Sequence, residues 1–155
     1  FSEVGYNFEP SEIGASFGLE QLKKFTFFSK LRNRNFKLHY YFFKKLDNYF
    51  IVPKVNKNVK TNFLAYPIIL KDNLKFSRKD FQIYLEKRGI QTRPIFTGNT
   101  LRHPAFKNLI SNKNKINNFK NSDYIMKHGL LIGCHQGLLL RDISYIHSII
   151  LKFFK

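Results

Sequence analysis

From Ser11 onward the apolar positions recur at helical spacing. Ile13, Phe17 and Gln21 fall on one stripe, with Leu19 and Leu22 on its neighbour. Ser11 is placed to cap this helix and Glu12 to meet the positive end of its dipole. Gly14 and Gly18 lie four apart on one face, and a glycine inside a helix costs about 1 kcal/mol relative to alanine. Such a face predicts close approach by another backbone or a ligand, or close packing inside the chain's own domain. A second ladder, Phe28, Leu31, Asn35, Leu38, Phe42 and Leu46, predicts a second helix. Lys30, Arg32, Arg34, Lys37, Lys44 and Lys45 fill the rest of its circumference and read as a solvated face.

The remainder alternates strands and helices. Residues 53–62, PKVNKNVKTN, form a polar loop; 63–70, FLAYPIIL, form a strand that Pro67 assigns to an edge or a bulge. Ser77 and Asp80 have capping-box spacing ahead of a helix over 78–88, with Phe81, Tyr84 and Leu85 inward and Gly89 as its stop. Residues 90–96 predict a second strand, and the Asn- and Lys-rich stretch 107–121 a loop. Asn121 or Ser122 caps a short helix ending near His128 and Gly129, and 130–134 form a third strand. An amphipathic helix then runs from Leu139 or Leu140 to Phe154, carrying Ile143, Ile146, Ile149, Ile150 and Phe153 inward. The order predicts an α/β two-layer sandwich, a small sheet covered by helices, with residues 1–50 as a long helical arm and 51–155 as a small α/β domain.

Composition narrows the classes. At 155 residues and 43% apolar content the chain can build one core and is not a disordered sequence. No apolar run reaches the length of a membrane span. The single cysteine, Cys134, excludes an internal disulfide and a cysteine metal cluster and fits a reducing cytoplasm. The first residue is Phe1, which reads as a piece of a longer chain. A net charge of +17 keeps a basic nucleic-acid-binding module as an alternative. Of the 27 basic residues only 7 are Arg, whereas base and phosphate readers lean on arginine forks, so nucleic acid is the weaker reading.

Three clusters could carry chemistry: Gly5-Tyr6-Asn7; TRPIFTGNTLRHP at 92–104, with Arg93, Asn99 and Arg102; and GCHQGL at 133–138, with His135 at a turn. Guanidinium and amide groups beside strand ends suit carboxylates, phosphates or sugar hydroxyls. The plain alternatives are a surface or ion-paired arginine and a structural histidine. No two histidines lie three or four apart in metal-ligand spacing, and no dinucleotide fingerprint, P-loop or nucleophile elbow is present.

Taken in order, these segments resemble the PLP-dependent sugar aminotransferases of the DegT/StrS type. GYNFEPSEIGASFGLEQLKKF is similar to that family's Gly-Tyr-Asn turn and small-residue helix, GIQTRP at 89–94 to its Gly-Ile-x-Thr/Ala-Arg strand, and HQGL at 135–138 to the turn before its last helix. The resemblance implies the small C-terminal domain of a fold-type-I PLP enzyme, a homodimer with shared active sites, an amino donor such as glutamate and a nucleotide-linked sugar substrate. It implies that Asn7 reaches the phosphate of pyridoxal or pyridoxamine 5′-phosphate in the partner subunit. Arg93, Phe96, Gly98, Asn99, Arg102 and Pro104 also match the branch that removes the 3-hydroxyl of nucleotide-linked 4-keto-6-deoxyhexoses, with His103 where that branch has Gln. That likeness implies 3-dehydration, with transamination of a keto-sugar nucleotide as the rival. It assigns Arg93, Asn99 and Arg102 to sugar or amino-donor carboxylate groups and His135 to the rim. The Schiff-base Lys or His of the family belongs to an N-terminal large domain, so this stretch alone is expected to be catalytically inert. A dimerisation or structural piece without chemistry is the third reading, beside the enzyme and the nucleic-acid module.

Overall fold

A computed structural model describes residues 11–109 and 118–154. The Asn7 turn therefore lies outside the described residues. The two predicted helices are one: α1 runs Glu12–Lys44, because nothing between Lys24 and Lys37 breaks the helical pattern. Ser11 caps it, its side chain accepting from the Gly14 N–H at 3.5 Å. Two-residue β1, Phe50–Ile51, was not expected and makes the sheet four-stranded. β2 (Ala65–Leu70), α2 (Arg78–Glu86), β3 (Thr92–Pro94), α3 (Lys120–His128), β4 (Gly129–Gly133) and α4 (Leu140–Phe153) follow, with 3-10 turns at Thr100–Arg102 and Pro104–Leu109.

The sheet order is β1-β2-β4-β3, antiparallel throughout. β2 is thus an interior strand, which corrects the edge expected from Pro67. The proline is tolerated because β1 pairs only with Ile69 and Leu70, so beside Pro67 that flank has no partner strand to bond. The helix α3 starts two or three residues earlier than expected, capped at Phe119 with no side-chain hydrogen bond, so neither Asn121 nor Ser122 is the cap.

Cross-strand partners share a face, and the two faces differ. Tyr66, Ile68 and Leu70 alternate into the core with Leu130, Ile132 and Thr92. There they meet Phe36 and Phe43 of α1, Phe81 and Leu85 of α2, and Ile146, Ile149 and Ile150 of α4, so three helices cover this one face in the expected two-layer arrangement. The opposite face carries Ala65, Pro67 and Ile69 beside Gly133, Leu131 and Gly129, with Arg93 next to Leu131; it is only half-buried. The buried face of α1 is also rotated from the expected ladder, to Asn35, Phe36, His39 and Phe43.

The α2 capping box forms as its spacing predicts. Ser77 Oγ accepts from the Asp80 N–H at 3.2 Å, and Asp80 Oδ2 accepts from the Ser77 N–H at 2.8 Å. Ser77→Ala should cost about 1 kcal/mol, read as a lowered urea midpoint at constant slope; an unchanged midpoint would refute the box as a stabilising contact.

Before Phe28 the arm is exposed. Ile13 and Phe17 are 82% and 71% exposed, and a Cβ added at Gly18 would meet nothing within 4 Å. The two glycines are therefore not packed against any described part of this domain.

Candidate active-site surface

The half-open face of the sheet begins with Arg93. β3 places its side chain opposite buried Thr92, beside Leu131 and, one strand further, Pro67. Arg93 is exposed, with no hydrogen-bonded or ion-paired partner among the described residues. The loop that follows is held by internal bonds. Phe96 sits at φ +46°, a left-handed conformation that costs a bulky residue strain, yet its ring is 80% exposed and borders the same face. Ile95 folds inward over Gly129, where a Cβ would come within 2.7 Å of Ile95 Cδ1.

Gly98, at φ +65°, lets the loop descend onto α3, and a Cβ there would lie 2.4 Å from Met126 Cβ. Two residues that follow it then tie the descent down. Asn99 is buried; its amide donates to Asp123 Oδ1 at 2.8 Å, and its own oxygen accepts from the Leu101 N–H at 3.2 Å. Arg102 forks onto the same carboxylate, with Nε on Oδ1 and Nη2 on Oδ2 at 2.5 Å. The Arg102 guanidinium, then the Asn99 amide, hold the Asp123 carboxyl down to about 2. The ring of His103 donates from Nε2 to the Thr97 carbonyl at 2.7 Å and closes the loop on itself. Asn99 and Arg102 therefore come together, but the carboxylate they meet belongs to the chain. Arg93 is the arginine of this segment left facing outward.

His135 lies beyond the other end of β4 and joins neither Arg93 nor the Asp123 cluster. Its ring is exposed and accepts from the Gly137 N–H at 3.2 Å. Its carbonyl is held from α1, with Asn35 Nδ2 donating to the His135 and Leu138 carbonyls at 2.9 and 3.3 Å. Arg34 Nη2 reaches the Leu138 carbonyl at 3.2 Å, and Arg32 Nε reaches Gln136 Oε1 at 2.8 Å. Arg32 and Arg34 are thus half-buried anchors of this turn rather than part of a solvated face.

Beneath them His39 and His147 pair in the interior. His39 Nε2 donates to the Gly133 carbonyl at 3.1 Å, which leaves Nδ1 bare to accept from His147 Nε2 at 3.0 Å. His39 is therefore neutral, and burial keeps His147 neutral as well. Burial lowers His39 to about 4, while burial and then the neighbouring His39 lower His147 to about 3. The sequence hid this pair because its members stand 108 residues apart. Cys134 is buried and its thiol is pushed up to about 11 by burial, so it stays protonated and unreactive. Among the described residues no group of three or more His, Cys, Asp or Glu could hold a metal, and no helix is long and apolar enough to cross a membrane.

Known proteins resemble this chain in sequence and fold. The profile of the DegT/DnrJ/EryC1/StrS aminotransferase family matches residues 1–151. The chain is 30% identical to a GDP-4-keto-6-deoxy-D-mannose 3-dehydratase of Escherichia coli O55:H7 over 94% of its length and 37% of that protein's. It is 29% identical to a dTDP-4-dehydro-2,6-dideoxy-D-glucose 3-dehydratase of Saccharopolyspora spinosa over 99% of its length and 32% of that protein's. The solved structure of an E. coli GDP-4-keto-6-deoxy-D-mannose 3-dehydratase with bound hydrated PLP superposes with a TM-score of 0.72 at 30% identity, covering 94% of this chain and 36% of that one. The chain spans about a third of the length of these relatives.

Proposed function

We propose, from the premise that this chain belongs to the DegT/DnrJ/EryC1/StrS aminotransferase family, that it is the C-terminal part of a PLP- or PMP-dependent nucleotide-sugar enzyme. The reaction is 3-dehydration of a nucleotide-linked 4-keto-6-deoxyhexose. The observation that carries the reading is the match along nearly the whole chain to proteins named as sugar 3-dehydratases. Within it Arg93, Gly98, Asn99 and Arg102 are the residues on which the resemblance to the 3-dehydratase branch rests. Transamination of a keto-sugar nucleotide is the rival reading, favoured by the family as a whole.

A PLP-type cofactor supplies an electron sink for the reacting sugar carbon when bound. The described residues do not offer a seat for its covalent attachment. Every lysine whose surroundings are described is exposed, whereas a Schiff-base lysine works in a desolvated pocket. No step is therefore assigned to a lysine of this chain. Asn7 remains the residue proposed for the cofactor phosphate, and a homodimer with shared sites and glutamate as amino donor remain part of the proposal.

The chain's own contribution is a substrate-facing wall. Arg93 presents a guanidinium fork to a sugar or donor oxygen anion, with Phe96 beside it as an apolar platform. Asn99 and Arg102 act through Asp123 as positioning residues that hold this loop in place, and His135 borders the wall's far end.

The test uses the longer protein with PLP, glutamate and GDP-4-keto-6-deoxymannose, with the product read by mass spectrometry. A dehydratase yields a sugar that has lost the 3-oxygen; a transaminase yields an amino sugar instead. In the same assay Arg93→Ala should lower kcat/KM roughly 10- to 100-fold, and Arg93→Lys should recover only part, because an ammonium cannot reproduce the fork. Equal turnover of all three forms would remove Arg93 from the wall.

A further inference from the structure

Where β2 ends and β4 begins, the segment from Leu70 to Asp80 folds back beside the end of α3 and leaves a concavity of about 450 Å³. Asn73 makes the turn at φ +62°, a left-handed conformation that asparagine tolerates better than most residues. The walls are held in place. Phe76 meets Phe81 and Phe153 at 6.2 and 4.7 Å between ring centroids. Tyr124 donates to the Leu70 carbonyl at 3.1 Å, and its ring stacks on His128 at 4.5 Å. This concavity shares no lining residue with the depression that runs over Pro67, Leu131 and Phe96.

Four permanent cations line it: Lys71, Lys75 and Arg78 from the folded-back segment, and Lys127 from α3. None of the four is ion-paired among the described residues. Two carboxylates are also present, and both are engaged. Asp80 accepts from the Ser77 N–H at 2.8 Å and from Ser77 Oγ at 2.7 Å, while Asp72 Oδ1 lies 3.3 Å from His128 Nε2. Because Asp80 already occupies the α2 N-terminus, attraction for an anion here comes from side chains rather than from the helix end. Gathering four like charges around one hollow is unfavourable, and a bound anion relieves the repulsion. Arg78 supplies an independent observation. Its Nε is shut off from solvent and has no hydrogen-bond partner among the described residues. A guanidinium N–H withdrawn from water without an acceptor is costly, and an anionic oxygen in the cavity that Arg78 lines would satisfy it.

We propose that this concavity binds a small phosphoryl dianion, as the free ion or as a phosphate monoester, anchored by Arg78 with Lys71, Lys75 and Lys127 around it. A phosphoryl group suits these donors better than a lone carboxylate, because it brings more acceptor oxygens and more charge. The volume admits a small ester, whereas a nucleic-acid strand needs an extended basic track. The proposal stands on the cations, the orphaned Nε and the shape of this cavity, so it does not depend on the nucleotide-sugar reading.

The 155-residue chain, labelled for amide NMR, is titrated at constant ionic strength with inorganic phosphate, glucose 6-phosphate, acetate and a single-stranded oligonucleotide. Phosphate and the sugar phosphate should both give saturable shifts confined to residues 71–78, Lys127 and His128, and acetate none. Tighter binding of the sugar phosphate assigns the site to a monoester, and tighter binding of phosphate assigns it to the free ion. Arg78→Gln/Lys127→Gln should weaken either ligand about tenfold, with the spectrum away from the cavity reporting that the variant is folded. Arg78→Lys keeps the charge but loses Nε and should weaken binding about threefold. Parent-like binding by Arg78→Lys would overturn Arg78 as the anchor. Acetate binding as tightly as phosphate, or tighter seating of the oligonucleotide, would overturn the ligand class. Shifts scattered over lysines of the whole chain, or no saturation below about 10 mM, would overturn the site.

Discussion

Lowering the pH from 7 to 5 should remove on the order of 4 kcal/mol of folding stability through His39 and His147 alone. Both histidines titrate near 6.5 when the chain is unfolded, but near 4 and 3 in the fold, where burial disfavours their charged forms. Below 6.5 the unfolded chain therefore binds more protons than the folded one, and stability falls with pH. The contribution is fully present above about pH 7 and drains away as pH drops from 6.5 toward 4. Geometry points the same way. The shared bond needs a bare Nδ1 on His39, and a proton there would face the N–H of His147 across 3.0 Å. Asp123 and Asp80, whose pKa values are lowered, lose their contacts only at more acidic pH, so they leave this window to the histidines. Urea unfolding at pH 7, 6 and 5 measures the slope. The double variant His39→Leu/His147→Leu should be less stable at pH 7 but much flatter in pH; an unchanged slope in that variant would assign the acid sensitivity elsewhere.

Gly98→Ala should cost about 3 kcal/mol or more. Two penalties add: the left-handed backbone at φ +65°, and a methyl group 2.4 Å from Met126 Cβ and 2.9 Å from Met126 Cα. Only the first is local. Relieving the second means moving α3, and Asp123 on that helix then loses its hold on Asn99 and Arg102. The variant should unfold at lower urea and, in the longer protein, also lose turnover as the wall beside Arg93 loosens. Adding Met126→Gly should recover part of the stability, since the side-chain clash goes but the backbone penalty and the approach to the Met126 backbone stay. A Gly98→Ala protein as stable as the parent would mean that the loop does not descend onto α3 as described.

What the sequence made legible was chiefly local. The Ser77–Asp80 box, the stop at Gly89 and the isoleucine ladder of α4 are all set by neighbours within four positions, and all three form. Other features depend on partners far along the chain. β1 is two residues long and exists because Leu70 and Ile69 are there to pair with it. Pro67 was misplaced because its tolerance depends on how far that neighbour reaches. In the candidate site, Arg93 could be singled out from its strand position, and it does face outward. The internal partner of Asn99 and Arg102 could not be, since Asp123 lies more than twenty residues away and carries no sign of its role. Arg32 and Arg34 misled for a related reason: on a lysine-rich helix nothing in their spacing distinguishes an anchor from a solvated charge.

The unbroken α1 helix makes the chain sensitive to a kind of change unlike a substitution. Each helical residue turns the following one by about 100° and advances it by about 1.5 Å. The C-terminal part of α1 is clamped by Asn35, Phe36, His39 and Phe43, while Ile13, Phe17 and the two glycines project from its free part. The direction in which those residues point is therefore fixed by counting. Inserting one residue near Phe27 would leave the sheet and its core intact and swing the whole forward stripe a quarter-turn or more around the axis, whereas seven residues would restore its bearing to within about 20°. In the evolution of such a chain, length in this segment should change in whole turns or not at all.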